Sequence, residues 1–260
     1  MEGDNVCLSQ GRSEAEDMGI EKGSRVKRQE IAFKRSLVYE LLSHALAEPS
    51  LEFIRFVSHG EFLDTIMDCI RPYPQGRKLN MSLLVDTVSH ARKYDIETIG
   101  NLYKRLISPE HSFLHECRYH AQFSAYDEMA DIAGFYRAFG FDFRGERPDH
   151  ISLELEFMRI LTLKEAKTLT DNSDNLDVCV SAQRSFLMSH LGRWVHLLSI
   201  VSEGIAFYGG ISMFLKNWIE AECRHLLIKP EPLNEVLIRD LQEDEDSINC
   251  MIDTVSYKEE

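Results

Sequence analysis

Apolar residues recur every three or four positions through most of this chain, and no stretch alternates apolar with polar between turn residues. That spacing commits the backbone to helices, because only a helix gathers such positions onto one face. Leu37, Leu41, Leu42, Ala45 and Leu46 form the first stripe, and Pro49 closes it. Further helices are expected over residues 51–57, 61–70, 81–107 (broken near Gly100), 112–123, 126–139, 151–169, 178–190, 191–203 and 205–228. Two prolines and a glycine make residues 71–76 a loop. Gly209-Gly210 weakens the last helix and marks either close packing or a kink. The expected fold is all-α: a single bundle of about nine to eleven helices.

Residues 1–28 are polar and nearly free of large apolar side chains, so a disordered tail is expected there. The helical domain is expected over residues 29–232. Its halves, 29–169 and 178–232, are joined by a polar linker at 170–177 rich in turn residues. Residues 233–260 form an acidic end that includes Glu243-Asp-Glu-Asp246. An apolar share of 44% supports a sizeable core, yet no apolar run reaches the length of a membrane span. The first residues lack a basic and apolar leader, so a cytoplasmic protein is expected. Cys7, Cys69, Cys117, Cys179, Cys223 and Cys250 are scattered, which suits free thiols rather than a disulfide or zinc framework. With 29 Lys and Arg against 43 Asp and Glu, the net charge is −14. Nucleic-acid binding is disfavoured, because phosphates need clustered cations. An acidic surface serves solubility and also suits a basic partner.

The densest set of signals is Glu146-Arg-Pro-Asp-His-Ile-Ser-Leu-Glu-Leu-Glu-Phe-Met158. Pro148 biases Arg147 away from helix, Asp149 is a good N-cap, and His150 falls in the first turn, partly exposed and mostly neutral beside the helix dipole. This segment resembles the signature of the TorD/DmsD/NarJ-like chaperones, which mature molybdenum-containing oxidoreductases. Four other blocks resemble that family in its order: Tyr39-Glu-Leu-Leu-Ser-His-Ala-Leu-Ala-Glu-Pro49, Ala130-Asp-Ile-Ala-Gly-Phe-Tyr-Arg-Ala-Phe-Gly140, Phe186-Leu-Met-Ser-His-Leu-Gly-Arg-Trp194 and Ala206-Phe-Tyr208. The likeness is greatest to the branch serving nitrate, selenate, perchlorate and hydrocarbon-oxidising enzymes. The chain departs from it at Leu114-His-Glu-Cys-Arg-Tyr119, where members often carry Pro-Tyr-Glu.

The resemblance implies a binding protein without catalytic residues, cofactor or metal. Its partner would be the apo catalytic subunit of a molybdopterin oxidoreductase, with that subunit's twin-arginine signal peptide. Glu146, Pro148, Asp149, His150, Tyr39 and Trp194 are the client-binding residues it implies. A monomer and a helix-swapped dimer both remain compatible with the polar linker. The residues leave other readings open. Tyr39, Phe135, Tyr136, Trp194, Phe207, Tyr208 and Trp218 line either an apolar groove or simply the core. His111, His115, Cys117 and His120 cluster without a complete zinc motif, and Glu222-Cys-Arg-His225 is a single copy of a pattern that di-iron bundles need twice. The alternatives are therefore a metal-binding helical enzyme and a permanent accessory subunit of the oxidoreductase. No nucleotide or nucleophile motif is present.

Overall fold

The computed structural model describes the backbone of residues 7–108, 112–120, 125–143 and 147–234, with side chains from residue 23 onward in those segments. The ten α-helices among the described residues are α1 (Cys7–Leu46), α2 (Leu51–Ser58), α3 (Glu61–Ile70), α4 (Ser82–Ala91), α5 (Ile96–Ile107), α6 (Ala125–Ala138), α7 (Ile151–Asp171), α8 (Leu176–Ser189), α9 (Leu191–Val201) and α10 (Tyr208–Leu226). Two 3-10 turns, Gly76–Lys78 and Glu116–Tyr119, join them, and no strand forms among these residues. The fold is all-α, as the periodicity requires. None of these helices is long and apolar enough to cross a membrane, and Cys69, Cys117, Cys179 and Cys223 are free thiols.

Several boundaries differ from those read in the sequence. Helix α1 begins at Cys7, inside the stretch expected to be a tail. Extending an existing helix avoids a second nucleation cost, so a polar segment can join the helix that follows it even with Gly11, Gly19 and Gly23 inside it. Arg25 then docks α1 on α7, its Nε donating to the Leu169 carbonyl at 2.7 Å. The break in residues 81–107 falls between Ala91 and Ile96, not at Gly100. Asp95 decides it by capping α5, its side chain accepting from the Thr98 N–H at 2.8 Å. The polar link shrinks to residues 172–175, with Asn172 in the left-handed region ending α7. The acidic end beyond Asn234 lies outside the described residues.

Helix α1 packs most extensively on α7, and α10 closes against α9, α4 and α1. One continuous apolar cluster draws on nearly every helix, from Val38 to Leu226. Close approaches depend on two glycines. A Cβ on Gly210 would collide with the Thr87 side chain of α4, so the Gly209-Gly210 pair marks packing. A Cβ on Gly192 would strike the Leu187 carbonyl and Pro230, closing the α8–α9 corner.

At the centre lies Arg35 of α1, essentially without solvent exposure. Its guanidinium grips Glu222 of α10 in a fork (Nε to Oε1 2.9 Å, Nη2 to Oε2 2.8 Å) and donates to Glu165 of α7 at 2.8 Å and Gln183 of α8 at 2.6 Å. Tyr39 and Tyr73 donate to Glu222 at 3.1 and 2.8 Å, and Gln183 donates to Glu165 at 2.9 Å. Burial opposes ionisation of Glu222, but Arg35 holds its carboxyl below the ordinary range. Replacing Arg35 with alanine strands two buried carboxylates. We expect a loss of about 3–5 kcal/mol in urea unfolding. Substituting Arg35, Glu165 and Glu222 together by Met or Leu should recover most of that loss, since no charge is then left unpaired. A single Arg35→Ala variant as stable as the parent would contradict the assignment.

Candidate functional site

Two irregular segments, residues 112–120 and 147–150, lie side by side ahead of α7. The Glu116 N–H donates to the Asp149 carbonyl at 2.9 Å and the Ile151 N–H to the Leu114 carbonyl at 2.8 Å. His115 and His150 thereby form an isolated antiparallel bridge, with their rings 5.0 Å apart edge to face. The helix expected over residues 112–123 is consequently absent from its described part, 112–120, apart from the 3-10 turn. Its backbone groups are satisfied across the pair of segments instead of along a helix. Tyr136 of α6 secures the same loop by donating to the Pro148 carbonyl at 2.8 Å.

His150, not Asp149, caps α7. Its Nδ1 accepts from the Ser152 N–H at 3.2 Å and lies 2.7 Å from the Ser152 hydroxyl. An accepting Nδ1 requires a neutral ring. Burial, helped by the nearby His115, pushes the His150 imidazole down to about 4. Asp149 is fully buried and turned the other way. It takes Arg147 at 3.0 and 2.6 Å, His115 Nδ1 at 3.3 Å and the Cys117 N–H at 3.2 Å. Burial opposes its ionisation, but His115 and Arg147 outweigh burial and hold the carboxyl well below the usual range.

Beneath this loop pair is a second polar cluster, which joins the 3-10 turn, α6, α7 and the α8–α9 corner. Glu116 Oε1 lies 3.1 Å from His120 Nε2, and Glu116 Oε2 faces His190 Nδ1 at 3.3 Å without hydrogen-bond alignment. Glu128 contacts His120 Nδ1 at 3.3 Å and His190 Nδ1 at 3.7 Å. Asp131 takes His190 Nε2 at 3.2 Å. Glu154 of α7 is wholly enclosed beside Glu116 and accepts from the Trp194 indole at 3.2 Å. Burial pushes the Glu154 carboxyl well above its ordinary value, and the Glu116 charge adds to that. Burial likewise opposes ionisation of Glu116, but His120 and His190 hold it down.

The residues singled out from the sequence are thus mostly interior. Tyr39 belongs to the Arg35 network, and Trp194 stacks on Tyr119 at 5.2 Å with no exposure. Tyr136, Phe207, Tyr208 and Trp218 are also core, whereas Phe135 is half-buried. Pro148 is half-buried and Arg147 half-exposed. Glu146 and His111 lie outside the described residues. Of the proposed histidine cluster, His115 belongs to Asp149 and His120 to Glu116 and Glu128. Glu222 is occupied by Arg35, which leaves no di-iron arrangement there. The sequence reading missed the union of Glu116, Glu128, Asp131, Glu154 and His190. Glu154, His190 and Asp131 all stood inside the quoted motif blocks, but their meeting depends on how helices far apart in sequence cross.

Beside the cluster, α6 and α8 enclose an open groove of about 400 Å³, lined by Phe135, Phe139, Val178, Ala182 and the polar Asp177, Ser181 and Ser185. Phe135 bridges groove and cluster, its ring 5.5 Å from that of His190. One turn before it, Asp131 is mostly exposed, and Asp127 and Tyr126 are exposed at the helix start.

Residues 82–199, which hold both loop segments, the cluster and the groove, match the family described as "Nitrate reductase delta subunit". Over that stretch, somewhat under half of its length, the chain is similar to this family. A stretch of 107 residues is 32% identical to the perchlorate reductase assembly chaperone protein of Dechloromonas aromatica (strain RCB), covering 39% of this chain and 47% of that protein. The chain therefore spans about half the length of this curated relative. No solved structure matches.

His150 gives this region a pH signature. Its folded pKa lies below its unfolded one, so the unfolded state takes up the proton first as pH falls. Stability should be full above pH 6.5 and decline towards about 4, by up to about 3 kcal/mol if burial is maintained. Asparagine caps helices well and does not titrate. Urea unfolding across this range should therefore show the acid limb flattened in His150→Asn. An unchanged slope in that variant would place the titration elsewhere.

Proposed function

We propose that this chain is a cytoplasmic maturation chaperone for the catalytic subunit of a molybdopterin oxidoreductase. It binds the apo subunit and its twin-arginine leader, holds them back from export, and lets go once the cofactor is inserted. The observation that carries the reading is the family match over residues 82–199, supported by the likeness to a perchlorate reductase assembly chaperone. The mechanism is binding rather than bond chemistry, and release requires a lower affinity for the loaded client than for the apo form.

The α6 face supports a particular mode of contact. A twin-arginine leader has a cationic head and an apolar body. Asp127 and Asp131 offer carboxylates for the head, and the groove at Phe135, Phe139 and Val178 offers an apolar seat for the body one to two turns further along. Pro148 fastens α6 through the Tyr136 hydroxyl and Trp194 is held by Glu154, whereas Tyr39 belongs to the Arg35 network and is not part of this face. Glu146 is a client-binding residue on the resemblance alone.

Affinity capture from the native host, with molybdate withheld, should recover a molybdopterin-oxidoreductase catalytic subunit, and restoring molybdate should reduce the yield. A partner that stays through maturation would make this chain a permanent subunit, as the word "subunit" in the family description suggests. Recovery of no such subunit under either condition would defeat the proposal. For the docking mode, a fluorescent peptide with two adjacent arginines before an apolar segment should bind in the micromolar range or better. Val178→Asp should weaken it about tenfold, equivalent to about 1.4 kcal/mol, and added salt should weaken it through Asp127 and Asp131. Binding indifferent to both would move the leader off this face.

A further inference from the structure

We propose that Glu116, His120 and Glu128, completed by His190, form a binding site for a divalent transition cation of the zinc class. One ligand atom from each of the first three lies within 4.8 Å of the other two. Four ligands about 2 Å from a tetrahedral zinc stand roughly 3.3 Å from one another. The nearest pairs are Glu116 Oε1 and His120 Nε2 at 3.1 Å, His120 Nδ1 and Glu128 Oε1 at 3.3 Å, Glu116 Oε2 and His190 Nδ1 at 3.3 Å, and Glu128 Oε2 and His190 Nδ1 at 3.7 Å; the four residues converge on one point, and a cation would take one atom from each. His120 presents Nε2 to Glu116 and Nδ1 to Glu128, and one of these two nitrogens would ligate a single cation.

Two further observations favour a cation. The Glu116 side chain is fully buried, and its Oε2 points into the cluster with no hydrogen bond. His190 Nε2 lies 3.2 Å from Asp131, a carboxylate–histidine arrangement that fixes the tautomer and frees Nδ1 for a metal. Imidazole donors select against magnesium and calcium. Glu128, about one-fifth exposed at the start of α6, provides the route in.

The inference goes beyond chaperone function and does not depend on it, since it can be tested on the purified chain alone. Full-length protein stripped with a chelator is titrated with cobalt(II), followed by visible absorption, and with zinc against a chromophoric chelator. One cation per chain is expected, with the intense cobalt bands of tetrahedral coordination and proton release into a weak buffer. Glu128→Gln, at the solvent edge, should weaken binding at least about tenfold while circular dichroism stays unchanged. Asp131→Asn, on a mostly exposed residue, keeps the test decisive should Glu128→Gln fold poorly; it should weaken binding through His190. Glu156→Gln, which only removes a partner of Arg159 on α7, should change nothing. The proposal fails if cobalt gives only weak octahedral bands, if no stoichiometric binding occurs, or if Glu128→Gln and Asp131→Asn bind like the parent.

Discussion

Arg35 sets the register of the whole bundle. Its partners come from three other helices, α7, α8 and α10, so sliding any one of them by a turn would leave a carboxylate or the guanidinium unpaired in the interior. Apolar contacts are tolerant of such shifts; a forked charge-assisted contact at 2.8–2.9 Å is not. Tyr39, Tyr73 and Trp218 pack around the same centre, with Trp218 edge-on to both tyrosines at 5.8 and 5.4 Å. A buried ion network is poor value in stability when set against well-packed hydrocarbon, so its contribution here is to specify one arrangement of helices. The expected two halves, 29–169 and 178–232, each supply members: Arg35, Tyr39, Tyr73 and Glu165 on one side, Gln183 and Glu222 on the other.

That centre explains what the sequence could and could not reveal. The helices were legible because burying a stripe imposes a spacing, and the stripe of Leu37, Leu41, Leu42, Ala45 and Leu46 does pack inward. Ends governed by one local bond were harder. Asp95 overrode the weaker helix-breaking tendency of Gly100 because a capped start stabilises more than an interior glycine costs. The loop at residues 112–120 is not the helix expected there; its structure depends on partners at Asp149 and Ile151, more than 30 residues further along the chain. No local pattern encodes such a pairing. The same limit applies to Tyr39 and Trp194, whose hydroxyl and N–H are satisfied by Glu222 and Glu154, contacts visible only once the helices cross.

The signature segment therefore acts from inside. Asp149 fastens the 3-10 turn, His150 caps α7, Glu154 holds Trp194, and Pro148 receives Tyr136. These contacts fix the positions of α6 and the α8–α9 corner, the elements that carry the acidic and apolar surface. A polar interior is a stringent foundation for such a face. Each member has few acceptable partners, so a substitution at Asp149 or Glu116 propagates to helix position rather than being absorbed by repacking.

Asp131 belongs to both levels. Its carboxylate is mostly exposed on the α6 face, and one of its oxygens reaches His190 beneath. A cationic group arriving at Asp131 competes with His190 Nε2 for that oxygen, and His190 is in turn the counter-charge of Glu116 at 3.3 Å. Burial lowers the affinity of His190 for its proton, yet Glu116 and the other nearby carboxylates raise it overall. Drawing Asp131 away weakens that support, so occupation of the surface and the protonation or ligation of the interior are linked. Linkage is reciprocal: whatever fills the cluster must alter the affinity of the face above it by the same factor. A surface joined in this way to a buried acid–imidazole cluster has a physical means of distinguishing two states of its own interior, carried by one shared carboxylate.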